Sequence, residues 1–100
     1  MNATVRPTNN FDVTKFNELN FNPHSAGMGG VQAVVQFPNG YGASIVKTPF
    51  TYGGDRGLYE LAVFGKDGHI TYDTPITNDV LGHLSEQDVE QALMDIKNLD

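Results

Sequence analysis

The chain has 100 residues, 39% of them hydrophobic and 18% charged, and a net charge of −6. That is the size and composition of one globular domain with one modest core. The absence of cysteine excludes disulfides and thiolate chemistry, and the negative charge argues against direct nucleic-acid binding, whose affinity comes from neutralised phosphates.

Residues 1–10 are polar and aperiodic, and they read as a disordered arm ahead of a single domain over 11–100. The first twenty residues hold no apolar run, so neither a signal peptide nor a membrane contact is expected. Asn2-Ala3-Thr4 matches a glycosylation sequon and, without a secretory signal, reads as chance. Phe11, Val13, Phe16, Leu19 and Phe21 follow at mixed spacing. The pattern fits a short helical turn or an extended edge strand, with Asp12 placed to cap a helix over Val13–Leu19; Pro23 ends whichever forms.

The clearest local signal is a hairpin. Val31 to Phe37 alternates, with Val31, Ala33, Val35 and Phe37 on one face and Gln32 and Gln36 on the other. Pro38-Asn39-Gly40 supplies a turn whose Asn-Gly pair tolerates positive φ. Tyr41 to Lys47 returns, with Tyr41, Ala43 and Ile45 available to the buried face, and Pro49 stops it. After a glycine-rich loop over Thr51–Gly57, a third strand is expected over Leu58–Phe64, with Tyr59, Leu61 and Val63 sharing one face. A tight turn at Lys66-Asp67-Gly68 then leads to a fourth strand over His69–Asp73. Thr77-Asn78-Asp79 suggests a single helical turn ending at Gly82.

A well-marked helix follows. Ser85 is the N-cap, Asp88 completes a capping box, and Leu84 and Val89 are spaced for a hydrophobic staple. Val89, Ala92, Leu93, Ile96 and Leu99 recur at helical spacing and form one apolar stripe. The expected fold class is therefore α+β: an antiparallel meander of about four strands packed by a C-terminal helix, with a short N-terminal element.

Chemistry is hard to find in this pattern. His24, His69 and His83 make no ligand motif, so no metal is expected. Ser25, Ser44 and Ser85 lack the setting of a nucleophile, and no catalytic residue is assigned. Gly27–Gly30 and Gly53–Gly57 precede strands, which is the wrong order for a phosphate loop, so no cofactor is expected either.

The remaining signals are surfaces. Tyr52, Asp55 and Arg56 stand together in the glycine-rich loop and form the expected contact patch, with Glu60 next. The charge is also uneven. Residues 1–72 balance, and 73–100 hold seven acids against Lys97 alone. An acidic face of Asp79, Glu86, Glu90 and Asp95 is the alternative reading, in which the domain mimics nucleic acid and occupies a basic DNA-binding protein. A third reading places a small-ligand pocket or an enzyme site on the second sheet face, around Val34, Val46, Ala62 and Phe64. The preferred expectation is that the Phe11–Phe21 segment covers that face, ahead of a second copy of the chain making a homodimer.

Four strings resemble small uncharacterised proteins encoded by tailed bacteriophages. They are Asn39-Gly40-Tyr41-Gly42-Ala43-Ser44-Ile45-Val46, Tyr52-Gly53-Gly54, Gly57-Leu58-Tyr59-Glu60-Leu61-Ala62-Val63 and Tyr72-Asp73-Thr74-Pro75-Ile76-Thr77. The resemblance covers residues 27–99 and brings no activity or catalytic residue with it. It implies an accessory protein made in the cytoplasm of a bacterial host, and a host protein as partner.

Overall fold

The structure, a computed structural model, describes residues 10–23, 29–48, 56–67 and 81–99. In chain order these form β1 (Asn10–Phe11), a 3-10 turn (Phe16–Glu18), β2 (Asn22–Pro23), β3 (Val31–Gln36), β4 (Gly42–Lys47), β5 (Tyr59–Phe64), β6 (Leu81–Leu84) and α1 (Glu86–Lys97). The architecture is α+β, one sheet with a C-terminal helix. The backbone of the sheet is the antiparallel run β3-β4-β5-β6. It is mixed overall, because β1 pairs in parallel with Val35 and Gln36 while β2 pairs antiparallel with Val31 and Gln32. Two short strands thus share the outer edge of β3, and Pro23 is tolerated there because an edge residue can do without its ladder N–H.

Alternation puts Ala33, Val35, Ala43, Ile45, Leu61 and Val63 on one face, all fully buried. The apolar stripe of α1, Val89, Ala92, Leu93 and Ile96, closes over them. The helix begins where the sequence indicates. Ser85 accepts from the Asp88 N–H, and the Asp88 carboxylate accepts from the Ser85 N–H, at 3.1 and 3.0 Å. This reciprocal cap satisfies two donors that the helix itself cannot.

The β3–β4 turn differs in detail from an Asn-Gly pair at positive φ. Only Gly40 is left-handed, at φ +93°. Gly40 N–H donates to Phe37 O and Phe37 N–H to Tyr41 O, which makes a three-residue loop with the glycine at its bulge. Asn39 is thereby free for another task. Its Nδ2 donates to the carbonyls of Ile96, Lys97 and Leu99 at 2.9, 3.0 and 3.1 Å, and its Oδ1 accepts from Tyr41 N–H. The hairpin tip therefore caps the C-terminus of α1, where unpaired carbonyls collect.

A test follows from that cap. Asn39→Ala should cost about 1–2 kcal/mol, the usual range for a lost cap of this kind. Asn39→Asp should cost more, because it brings a negative charge to the negative end of the helix dipole. Urea unfolding at low and at 0.5 M salt reads both; the Asp–Ala gap should shrink with salt. A loss near zero for Asn39→Ala would show that the carbonyl contacts contribute nothing, and equal losses for the two variants that the dipole term is absent.

Three sequence expectations are resolved or corrected. The choice left open at Val13–Leu19 resolves as a short helical turn, one 3-10 turn at Phe16–Glu18 with no side-chain cap from Lys15; no longer helix forms for Asp12, at φ +55°, to cap. Mixed apolar spacing gives no stripe long enough to sustain a helix there. Second, Leu81 and Gly82 belong to β6, not to a helical turn. The pairs Tyr59↔Leu84 and Leu61↔Leu81 leave one extra residue in β6, and His83 takes a left-handed φ of +57° nearby. That bulge lets Leu81 and Leu84, three residues apart, both pack on the core. The fourth strand of the antiparallel run β3-β4-β5-β6 is accordingly β6, while His69–Asp73 lies outside the described residues.

The third, a correction, concerns the N-terminal segment. It does not cover Val34, Val46, Ala62 and Phe64. Val13, Phe16, Leu19 and Phe21 pack against the main core, on the helix side. Phe16, Phe21 and Tyr59 form an aromatic trio with centroids 5.1 to 5.8 Å apart. The reason is width: a helix about 10 Å across covers roughly two strands spaced about 4.8 Å apart. The sheet is wider than that, and the N-terminal residues cover what α1 leaves open. Asn10, the last residue of the expected arm, is buried in β1; its side chain donates to Val34 O and Asn20 O and accepts from Asn20 N–H. Residues 1–9 lie outside the described part.

Candidate interaction surface

The N-terminal segment and α1 lie side by side, and the seam between them is the best-built surface feature among the described residues. At one end Asp12 meets Lys97, with Oδ1 and Nζ 2.9 Å apart. The contact is an ion pair and not an aligned hydrogen bond, since Asp12 Oδ1 is shielded from water and accepts none. Further along, Phe16 N–H donates to Glu90 Oε2 at 2.6 Å. That N–H opens the 3-10 turn and has no partner within it, so the helix carboxylate caps the turn from outside. Around the second tie lies a groove of about 260 Å³, lined by Thr14, Lys15, Gln87, Glu90, Gln91 and Met94.

Of the two large apolar side chains exposed among the described residues, only Met94 lies in this seam; Phe11, in register with Gln36, stands on the sheet face away from α1. Phe11 is 64% exposed and directly precedes Asp12; Met94 is 44% exposed and lines the groove. The other apolar positions of α1 are buried, so the exposure of Met94 is local. The sequence offered a signal for Met94, which stands off the Val89-Ala92-Leu93-Ile96 stripe. Phe11 carried no such signal, because alternation assigns it no face until β1 is seen to pair.

The residues expected to form a contact patch are only partly described. Tyr52 and Asp55 lie outside the described residues. Arg56 is exposed just before β5. Glu60 stands on the sheet face away from α1, in register with Val46, half-buried and not free. Arg56 and Glu60 therefore belong to different parts of the surface: Arg56 to the end of the sheet, Glu60 to its second face. On that face Gln32 Nε2 donates to Ser44 Oγ at 2.9 Å, and Val34 is buried while Val46, Ala62 and Phe64 are half-buried.

The expected acidic face is divided in the same way. Asp79 lies outside the described residues. Glu90 is half-buried and holds Phe16, and Asp95 accepts from Gln91 Nε2 at 3.0 Å. Glu86 is exposed in the first turn, where it favours the helix dipole. Tyr59 is a packing residue, with Lys47 Nζ 5.1 Å from its ring centroid, and Tyr41 is half-buried under Lys66 at 5.4 Å. Among the described residues no three His, Asp or Glu side chains are grouped to hold a metal ion, and no described helix is long and apolar enough to cross a membrane. Comparison with known protein families, with curated proteins and with solved structures finds no match.

Proposed function

We propose that this chain is a small non-catalytic protein-interaction domain, an accessory protein of the tailed-phage kind that modulates a host factor in the bacterial cytoplasm. The observation that carries the reading is the seam, where Met94 remains exposed in a groove that two side-chain ties hold in shape. Exposed apolar side chains on a rigid, polar-rimmed surface are the usual composition of a contact centre, with Met enriched and charge at the rim. A surface held by its own ion pair and cap loses little conformational entropy on association.

The test is comparative affinity capture from bacterial lysate. Tagged wild type and a Met94→Ser variant are compared, each first shown to be folded by circular dichroism. We expect a specific protein retained by the wild type and lost with the variant. Equal retention by both overturns the seam as the contact surface, and retention of nothing by the wild type across several hosts overturns the interaction reading. A retained protein that DNA displaces moves the assignment to the acidic mimic, with Glu86, Glu90 and Asp95 as its face.

A further inference from the structure

We infer that the groove between the N-terminal segment and α1 receives a basic side chain, arginine or lysine, from an extended segment of a partner protein. The inference rests on the interaction reading above and names the partner chemistry at that same surface.

The groove has one fixed charge. Glu90 is half-buried and lines the groove, and the Phe16 N–H bond at 2.6 Å immobilises its carboxylate. One oxygen is used in that bond; Oε1 has no partner among the described residues. A held carboxylate with an unused oxygen is ready to accept a charge-assisted bond from a cation. Gln87 and Gln91, one turn apart on α1, add carboxamide oxygens on the same wall. Met94 contributes a polarisable thioether, 44% exposed, of the kind that packs along the aliphatic stem of lysine or arginine.

The surrounding charge has the matching sign. Glu86, Asp88 and Asp95 are exposed on the same helix, and its Lys97 is already engaged by Asp12. Lys15 is the one cation in the groove wall, and it is an exposed, flexible side chain at the rim. It competes with an incoming cation and can swing into water, so it weakens the site without filling it. At about 260 Å³ the groove is smaller than most drug-sized pockets but suits one long side chain.

The probe is an acetylated, amidated Gly-Arg-Gly-Arg-Gly peptide, titrated into the full chain labelled with nitrogen-15 at 20 mM salt. The same peptide with citrulline in place of arginine is the neutral control. We expect amide shifts concentrated at Thr14, Lys15, Gln87, Gln91 and Met94, and none with citrulline. Glu90→Gln keeps an oxygen for the Phe16 N–H and should fold, yet weaken binding about tenfold, as loss of a fixed charge partner does. Lys15→Gln should strengthen it a few-fold, and Glu86→Gln, a solvated acid outside the groove, should change it less than twofold. Shifts spread over every acidic residue, or equal affinity for Glu90→Gln and wild type, overturn the inference. Its failure is separable from failure of the interaction reading: a lysate protein lost with the Met94→Ser variant but retained by Glu90→Gln leaves the contact surface standing and removes the basic side chain.

Discussion

Phe37→Ala should destabilise the domain by about 3–5 kcal/mol, the range for deleting a fully buried aromatic ring. Phe37 is 1% exposed and is among the largest side chains buried to that degree. It also sits at the joint between β3 and the hairpin turn, where its N–H and carbonyl close the loop to Tyr41 and Gly40. The tip it anchors is the same tip that caps α1 through Asn39. Loss of the ring leaves a cavity under both elements, and the small core of a 100-residue chain has little else to collapse into it. Whole domains of this size are stable by about 5–15 kcal/mol, so this one change removes from about a fifth to all of that. The urea midpoint should fall with the slope unchanged. A loss under about 1 kcal/mol would mean that the hairpin tip is not packed into the core at all.

Gly30→Ala is the second large effect and has a different cause. Gly30 precedes β3, beside the end of β4, where Val31 pairs with Lys47. A Cβ added there meets Lys47 O and the Thr48 methyl inside van der Waals contact, with Thr48 Cα at 2.7 Å. Two of these are backbone atoms, and Thr48 is itself buried, so the clash cannot be relieved by turning one flexible side chain. The strand ends must separate, and the expected cost is about 2–4 kcal/mol, in the upper range for overpacking. Gly29 supplies the internal control. It has φ +76° but open space around its Cβ position, so Gly29→Ala costs only the left-handed strain of about 1 kcal/mol. Thermal unfolding of the two neighbours should therefore differ by several degrees. Equal melting temperatures would show that the close approach of β3 and β4 at Gly30 is not a constraint.

Both predictions concern the frame that holds the seam in place, and the seam depends on that frame for its shape. Glu90 can present a carboxylate to the groove because Val89 and Leu93 on either side of it are anchored in the core. The Phe16 ring is held against Phe21 and Tyr59, so the N–H that fixes Glu90 is fixed in turn. Binding surfaces built on packed elements keep their geometry better than loops do.

Local rules decided much of this protein from the sequence. The alternation of Val31–Phe37 and Tyr59–Val63, the breaker at Pro38-Asn39-Gly40 and the capping box at Ser85 and Asp88 each concern a few consecutive residues. Each appears in the structure at or within a residue of its expected place. Periodicity alone identified Val89, Ala92, Leu93 and Ile96 as the buried stripe of α1. The α+β class followed, because one apolar helix face needs an apolar sheet face to cover.

What lay beyond the sequence depended on contacts between distant residues. A bulge at His83 changed Leu81–Leu84 from a helix-like spacing into a strand with both leucines inward, and no periodicity rule anticipates an extra residue. Phe11, Phe16 and Phe21 had several surfaces open to them. The limited width of one helix over a wider sheet, together with the pairing of β1 and β2 on the edge of β3, placed Phe16 and Phe21 in the core and Phe11 in water. Glu90 looked like one more solvated helix acid until Phe16, 74 positions earlier, was seen to donate to it. Asn39 looked like a turn residue until the helix end, some 57 to 60 positions later, came to rest on its amide. Composition and spacing describe each segment's own preferences. Which side chain is left facing water, and with which neighbours, is set only when all the segments compete for the same core.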